Sequence, residues 1–147
     1  MNGRDQADPR PQFGGAMNYR GPISLDYSPD LDSEPDPGEI IWTWVPYEED
    51  DSIGKDRPLL VIGRAVANPE MYVALMLSTK DHAGEHGWVS LGSGAWDRDR
   101  RESWVRFDRL LAVSDGGIRR EGAVLERHEF LGVLDKARRE QKGEQVD

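Results

Sequence analysis

From residue 38 onward, short apolar runs alternate with clusters of turn-forming residues. Glu39–Val45 (EIIWTWV) is rich in β-branched and aromatic residues and predicts a strand. Pro58–Gly63 (PLLVIG) is apolar throughout, the pattern of a strand buried on both faces. Met71–Thr79, Trp88–Leu91 and Ser103–Val113 predict three more strands. Glu48–Lys55, Asp81–Gly87 and Gly92–Arg101 read as polar loops, and Ser114–Gly117 as a turn. In Glu126–Gln141 the period changes: Phe130, Val133, Leu134 and Ala137 recur at helical spacing, with Lys and Arg late in the segment. Short strands at regular spacing and one terminal helix predict a mainly β (α+β) domain, a small barrel with a helix packed on it.

Residues 1–37 differ. Pro, Gly and Asp are frequent, apolar residues are sparse, and seven acids face three arginines. They read as an acidic extension, partly disordered. Within it, Pro22–Tyr27 alternates apolar and polar residues, so an edge strand and a flexible tail both stay open. Residues 38–141 form the expected domain and 142–147 a polar tail. With 147 residues there is material for one core.

The chain has no cysteine, which excludes disulfides, thiolate metal sites and a Cys nucleophile. No apolar run approaches the ~20 residues of a membrane span, and the N-terminus lacks the apolar segment of a signal peptide. A cytoplasmic location fits both. The net charge of −9 argues against coating nucleic acid by bulk electrostatics. Yet Arg98, Arg100, Arg101, Arg106 and Arg109 cluster, so a local basic groove on an acidic protein remains open.

Several ordered elements then become specific. Gly38-Glu-Ile-Ile-Trp42 is followed by an acidic loop and Asp56-Arg-Pro-Leu-Leu-Val-Ile62. Leu77-Ser78-Thr79 ends a strand, and Val105-Arg-Phe-Asp108 precedes apolar residues and a Gly-rich segment. Over residues 38–139 this order resembles the MazF/PemK toxins of type II toxin–antitoxin systems. In the first loop, where many relatives carry Glu or His, this chain has Asp51, Ser52 and Asp56.

The resemblance implies an SH3-like antiparallel β-barrel of the PemK/CcdB type with a C-terminal helix. It implies an endoribonuclease (mRNA interferase) that cleaves single-stranded RNA without metal or cofactor, by attack of the 2′-OH on the adjacent phosphate. It also implies a homodimer, a cognate antitoxin, and operator DNA bound together with that antitoxin. Arg57, Ser78, Arg106 and Asp108 are then the catalytic set, and Thr79, Trp104 and Lys55 the substrate-binding set. By resemblance Asp108 is the general base, Arg106 the acid or phosphate clamp, and Arg57 the group that stabilises phosphorane charge. Ser78 or Thr79 hydrogen-bonds a phosphate oxygen, and strand alternation allows only one of them to face the site.

The residues by themselves leave other readings. Arg106 and Asp108, two apart on a strand with Trp104, share a face and equally make a surface ion pair. Arg57 equally answers the acids Glu48–Asp51. His82 and His86 read as exposed turn residues, His128 as the start of the helix. Trp96 reads as a core or interface residue, with base stacking as its alternative. A catalytically degenerate binder of antitoxin, DNA or protein on the same scaffold stays open beside the nuclease.

Overall fold

The computed structural model describes residues 7–12, 14–24 and 35–146. Its strands, in chain order, are β1 (Asp8–Pro9), β2 (Met17–Asn18), β3 (Ile23–Ser24), β4 (Glu39–Pro46), β5 (Ile53–Ala65), β6 (Tyr72–Ser78), β7 (Trp88–Gly92), β8 (Ser103–Val113) and β9 (Arg119–Val124). Helix α1 (Arg127–Val146) closes the chain. The protein is therefore a mainly β, antiparallel structure with one C-terminal helix. The hydrogen-bonded path runs β2-β8-β6-β5-β4-β9, with β1 and β3 added to β5 and β7 to β8. Among the described residues no pairing joins the path's two ends. No helix among them is long and apolar enough to cross a membrane.

Period-2 alternation explains the core. In β5, Leu60 and Ile62 enter one apolar cluster and Leu59 and Val61 the other. In β6, Val73, Leu75 and Leu77 enter the first, and Tyr72, Ala74 and Met76 the second. These central strands are buried on both faces, which is why their sequence is apolar without interruption. Phe130 and Val133 carry one face of α1 onto the first cluster, with Leu134 against its edge. The spacing that predicted the helix is the spacing that buries it.

Three features depart from the sequence pattern. β5 begins at Ile53, so Lys55 and Arg57 lie within a strand and not in or beside a loop. Their polar segment is held extended by β4, with Val45 opposite Lys55 and Thr43 opposite Arg57. β9 (RREGAV) has no apolar alternation and was not expected. It forms because β4 offers a free edge, and Arg120 there grips the buried Glu39 through two bonds of 2.6 and 2.9 Å. The helix continues to Val146, past the expected end at Gln141.

Parts of the acidic extension pair with the sheet. Asp8 lies opposite Gly54, Met17 opposite Ala112 and Ile23 opposite Ala65. Ala16 is fully buried, and its N–H donates to the Trp44 carbonyl at 2.7 Å. The second half of the Pro22–Tyr27 alternation and most of the acidic run after it, residues 25–34, lie outside the described residues.

Candidate active site

A bulge in β8 shapes the site. Leu77 pairs with Val105, but Leu75 pairs with Leu110. Opposite the single residue Met76, β8 therefore accommodates Arg106, Phe107, Asp108 and Arg109. Such a bulge bends a strand and re-aims its side chains. Val105 and Phe107 remain in the core, while Arg106 and Asp108 share the outer face, with Arg106 Nε 2.6 Å from Asp108 Oδ1. Simple alternation sets Arg109 on the opposite face. The bulge instead brings Arg109 into a cavity with Arg106.

Three adjoining cavities form a groove. The first, about 220 Å³, is lined by Lys55, Arg57, Ser78, Thr79 and Lys80, with Trp96 and Ser103 in its wall. The second, about 340 Å³, shares Lys55, Arg57 and Lys80 and adds Glu48, Arg106 and Arg109. The third, about 530 Å³, shares Glu48 and Arg109 and adds Asp108, Asn18, Tyr19 and Arg20. The register explains the first. Leu59 faces Met76, so two residues further along each strand Arg57 meets Ser78.

The groove thus gathers Arg57, Ser78, Thr79, Lys55 and Arg106, with Asp108 at its far end tied to Arg106. Ser78 and Thr79 line the same cavity because β6 ends at Ser78 and alternation stops there. Trp104, opposite both Ser78 and Ser90, lines none of the three cavities. Trp96 is buried, and its indole N–H donates to Ser103 Oγ at 2.8 Å.

The electrostatics are uneven. Arg106 points its fork at Glu48: Nη1 donates to Oε1, and Nη2 to Oε2 at 3.1 Å. With Asp108 on its Nε, Arg106 is held charged, its pKa raised chiefly by the Glu48 hydrogen bond. This suits a clamp better than an acid. Glu48 in turn is held below the ordinary carboxylate range by Arg106. Glu48 is therefore committed to Arg106 and does not answer Arg57. Among the described residues, Arg57, Lys55, Lys80 and Arg109 make no ion pair with a carboxylate. Burial lowers the pKa of the half-buried Arg57. Burial also lowers that of Arg109; Glu48 and Glu49 oppose the shift, and the nearby Arg106 and Arg57 charges reinforce it. Arg109 spends its donors on Asn18 Oδ1 (3.0 Å) and the Pro46 carbonyl (2.8 Å). Arg57 and Arg109 are thus partly buried cations in a cavity shared with Lys55, the exposed Lys80 and the carboxylates Glu48 and Glu49.

Sequence reasoning passed over four residues of this neighbourhood: Glu48, Lys80, Arg109 and His82. Only Arg109 carried a signal, as the cation following Arg-x-Asp. His82, expected in an exposed turn, lies flat on Trp88, with ring centroids 3.6 Å apart and planes within 1°. Among the described residues no group of three His, Asp or Glu side chains is placed to hold a metal ion.

Fold and site together define a class: a mainly β protein with one terminal helix and an arginine-lined groove beside a strand bulge. The sequence model of the PemK-like, MazF-like toxin of type II toxin–antitoxin system matches residues 36–140, and the chain belongs to this family. Among curated proteins none matches the chain. Membership gives a toxin-type role in a family whose members are generally endoribonucleases.

Proposed function

We propose that the chain is an endoribonuclease that cleaves single-stranded RNA by 2′-OH attack on the adjacent phosphate, and that a cognate antitoxin neutralises it. One observation carries this reading. Arg57, Lys55, Lys80 and Arg109 line one groove without carboxylate partners on a protein of net charge −9. A groove that gathers cations without ion-pair partners on an acidic protein suits an anionic ligand, and a phosphodiester fits.

In this reading Asp108, oriented by Arg106, takes the 2′-OH proton. Arg106 clamps a non-bridging phosphate oxygen through the fork it now gives to Glu48. Arg57 stabilises the charge of the phosphorane, and Ser78 and Thr79 hold the phosphate beside it. Lys55 follows the backbone of the strand. Trp104, outside the cavities, supports β8 rather than stacking on a base.

The sheet is read as an SH3-like barrel of the PemK/CcdB type. In support, β8 contributes Val105 and Phe107 to one core cluster and Leu111 and Val113 to the other, as a strand does when it bends through a corner. A homodimer, binding of operator DNA together with the antitoxin, and action in the cytoplasm belong to the same proposal. The second reading, a binder without nuclease activity, draws on the Glu48–Arg106 pair, which occupies the clamp.

The test is cleavage of a single-stranded oligonucleotide in EDTA, with the product ends identified. The expected product carries a 2′,3′-cyclic phosphate or its 3′-phosphate. Asp108→Asn should cost about 10²–10⁴-fold in rate, and Arg57→Ala a comparable factor. Arg98→Ala, in the Gly92–Arg101 loop, should cost far less. A folded wild-type protein that binds RNA or antitoxin and never cuts defeats the nuclease and leaves the binder.

A further inference from the structure

Cleavage by 2′-OH attack requires a proton for the departing 5′-oxygen, and the groove lacks an obvious donor. Arg106 is held charged between Glu48 and Asp108, and a guanidinium does not surrender a proton near neutral pH. A titratable side chain does lie one hydrogen bond behind the groove. His82 Nε2 is 3.1 Å from Ser78 Oγ, and His82 Nδ1 bonds the Glu85 carboxylate. The ring is fixed by its stack on Trp88, and only 14 % of the side chain is exposed. Around it stand Glu85 on its own loop, Ser78 on β6 and Trp88 on β7. Arg106 of β8 lies beyond, its Cζ 6.0 Å from the Trp88 ring centroid.

The proton positions follow from donor accounting. A carboxylate only accepts, so Nδ1 carries a hydrogen towards Glu85. When His82 is neutral, Nε2 is a lone pair and the Ser78 hydroxyl donates to it. When His82 is protonated, Nε2–H donates to Ser78 Oγ. The backbone N–H of Lys80 also donates to that oxygen, at 3.2 Å. Both inward bonds are then made to the oxygen, so the Ser78 hydrogen is free to turn towards the cavity it shares with Arg57. His82 therefore decides whether Ser78 presents a donor or an acceptor to the groove. Hydroxyl, imidazole and carboxylate in this order form a proton-transfer chain.

We infer that Ser78, His82 and Glu85 form a relay that protonates the leaving 5′-oxygen, with His82 as the positioning residue that supplies the proton through Ser78. As the P–O5′ bond breaks, its electron pair stays on O5′, which takes the Ser78 hydroxyl hydrogen. Ser78 Oγ takes the hydrogen from Nε2, and His82 becomes neutral. The 2′-oxygen, having lost its proton to Asp108, closes the cyclic phosphate. Exchange with water returns Asp108 and His82 to their starting forms.

This inference rests on the nuclease reading, and its test separates the two. Cleavage is followed from about pH 5 to 9, across the imidazole range, with wild type, His82→Gln, Ser78→Ala and Asp108→Asn. Two substrates are used: the normal oligonucleotide, and one whose scissile 5′-oxygen is replaced by sulfur, a leaving group that needs no proton. On the normal substrate the wild-type rate should fall as pH rises and the relay loses its proton. His82→Gln should lose that limb and be about 10²-fold slower at the acid end. On the sulfur substrate His82→Gln should approach the wild-type rate, Ser78→Ala should recover only the part of its loss not due to its phosphate contact, and Asp108→Asn should stay slow. Equal losses on both substrates mean that His82 only supports the fold and overturn the relay. So does a His82→Gln variant that keeps the wild-type rate and pH limb. If wild type cuts neither substrate, the nuclease reading itself fails.

Discussion

On the proposed mechanism Glu48 holds the Arg106 clamp shut, and removing its charge should open it. The carboxylate takes both Nη groups of Arg106, yet its own side chain is 54 % exposed. An incoming phosphate must displace it. An exposed ion pair is worth about 0.2–1 kcal/mol. A carboxylate left about 4 Å from a phosphate costs a further ~1 kcal/mol in water-like surroundings. Together, about 1–2 kcal/mol corresponds to a factor of about 5–30 in affinity. Glu48→Gln should therefore tighten binding of a non-cleavable 2′-deoxy oligonucleotide by that factor at low salt, with fold stability changed by under about 1 kcal/mol. Fluorescence anisotropy at about 50 mM and 300 mM salt measures it, and the gain should shrink at the higher salt. Acid mimics the substitution. Because Arg106 lowers the Glu48 pKa, the pair persists through the ordinary carboxylate range and opens only below it. Unchanged or weaker binding by Glu48→Gln would refute the reasoning and make Glu48 a ligand-binding group.

Two further outcomes follow from the geometry. Gly87 has φ +91°, and a Cβ there would lie 2.5 Å from Asp108 Oδ2. Gly87→Ala should cost about 1–2 kcal/mol for the left-handed backbone and push Asp108 aside, so urea unfolding and cleavage rate should both fall. Wild-type activity would show that the Asp108 position is not critical. Truncation to Gly38 removes the Ala16–Trp44 and Tyr19–Leu110 backbone bonds and the Asn18 partner of Arg109. At about 0.5–1.5 kcal/mol per bond, the loss should reach about 2–4 kcal/mol. An unchanged unfolding midpoint would mean that these contacts do not hold the sheet.

The sequence by itself determined the apolar strands and the helix. Glu39–Val45, Pro58–Gly63 and Ser103–Val113 announce themselves because burial on one or both faces imposes a composition on consecutive residues. Phe130, Val133 and Leu134 do the same for α1. The family was legible in the ordered motifs from Gly38 to Asp108, and the family match over residues 36–140 agrees. So was the shared face of Arg106 and Asp108, since two-residue spacing along a strand is a local property.

What the sequence left open depended on partners distant in the chain. The polar start of β5 and the whole of β9 are strands because β4 lies between them and satisfies their backbone groups, which no local period reports. The β8 bulge exists only relative to β6, so Arg109 in the groove could not be read from alternation. Ser78 and His82 are four residues apart in a strand end and a turn. Only the stack on Trp88, itself placed by pairing with β8, turns the imidazole onto the hydroxyl. Periodicity records which side of an element faces the core. Which side chains then meet across elements is a property of register, bulge and loop path, and it appears only when the chain is folded.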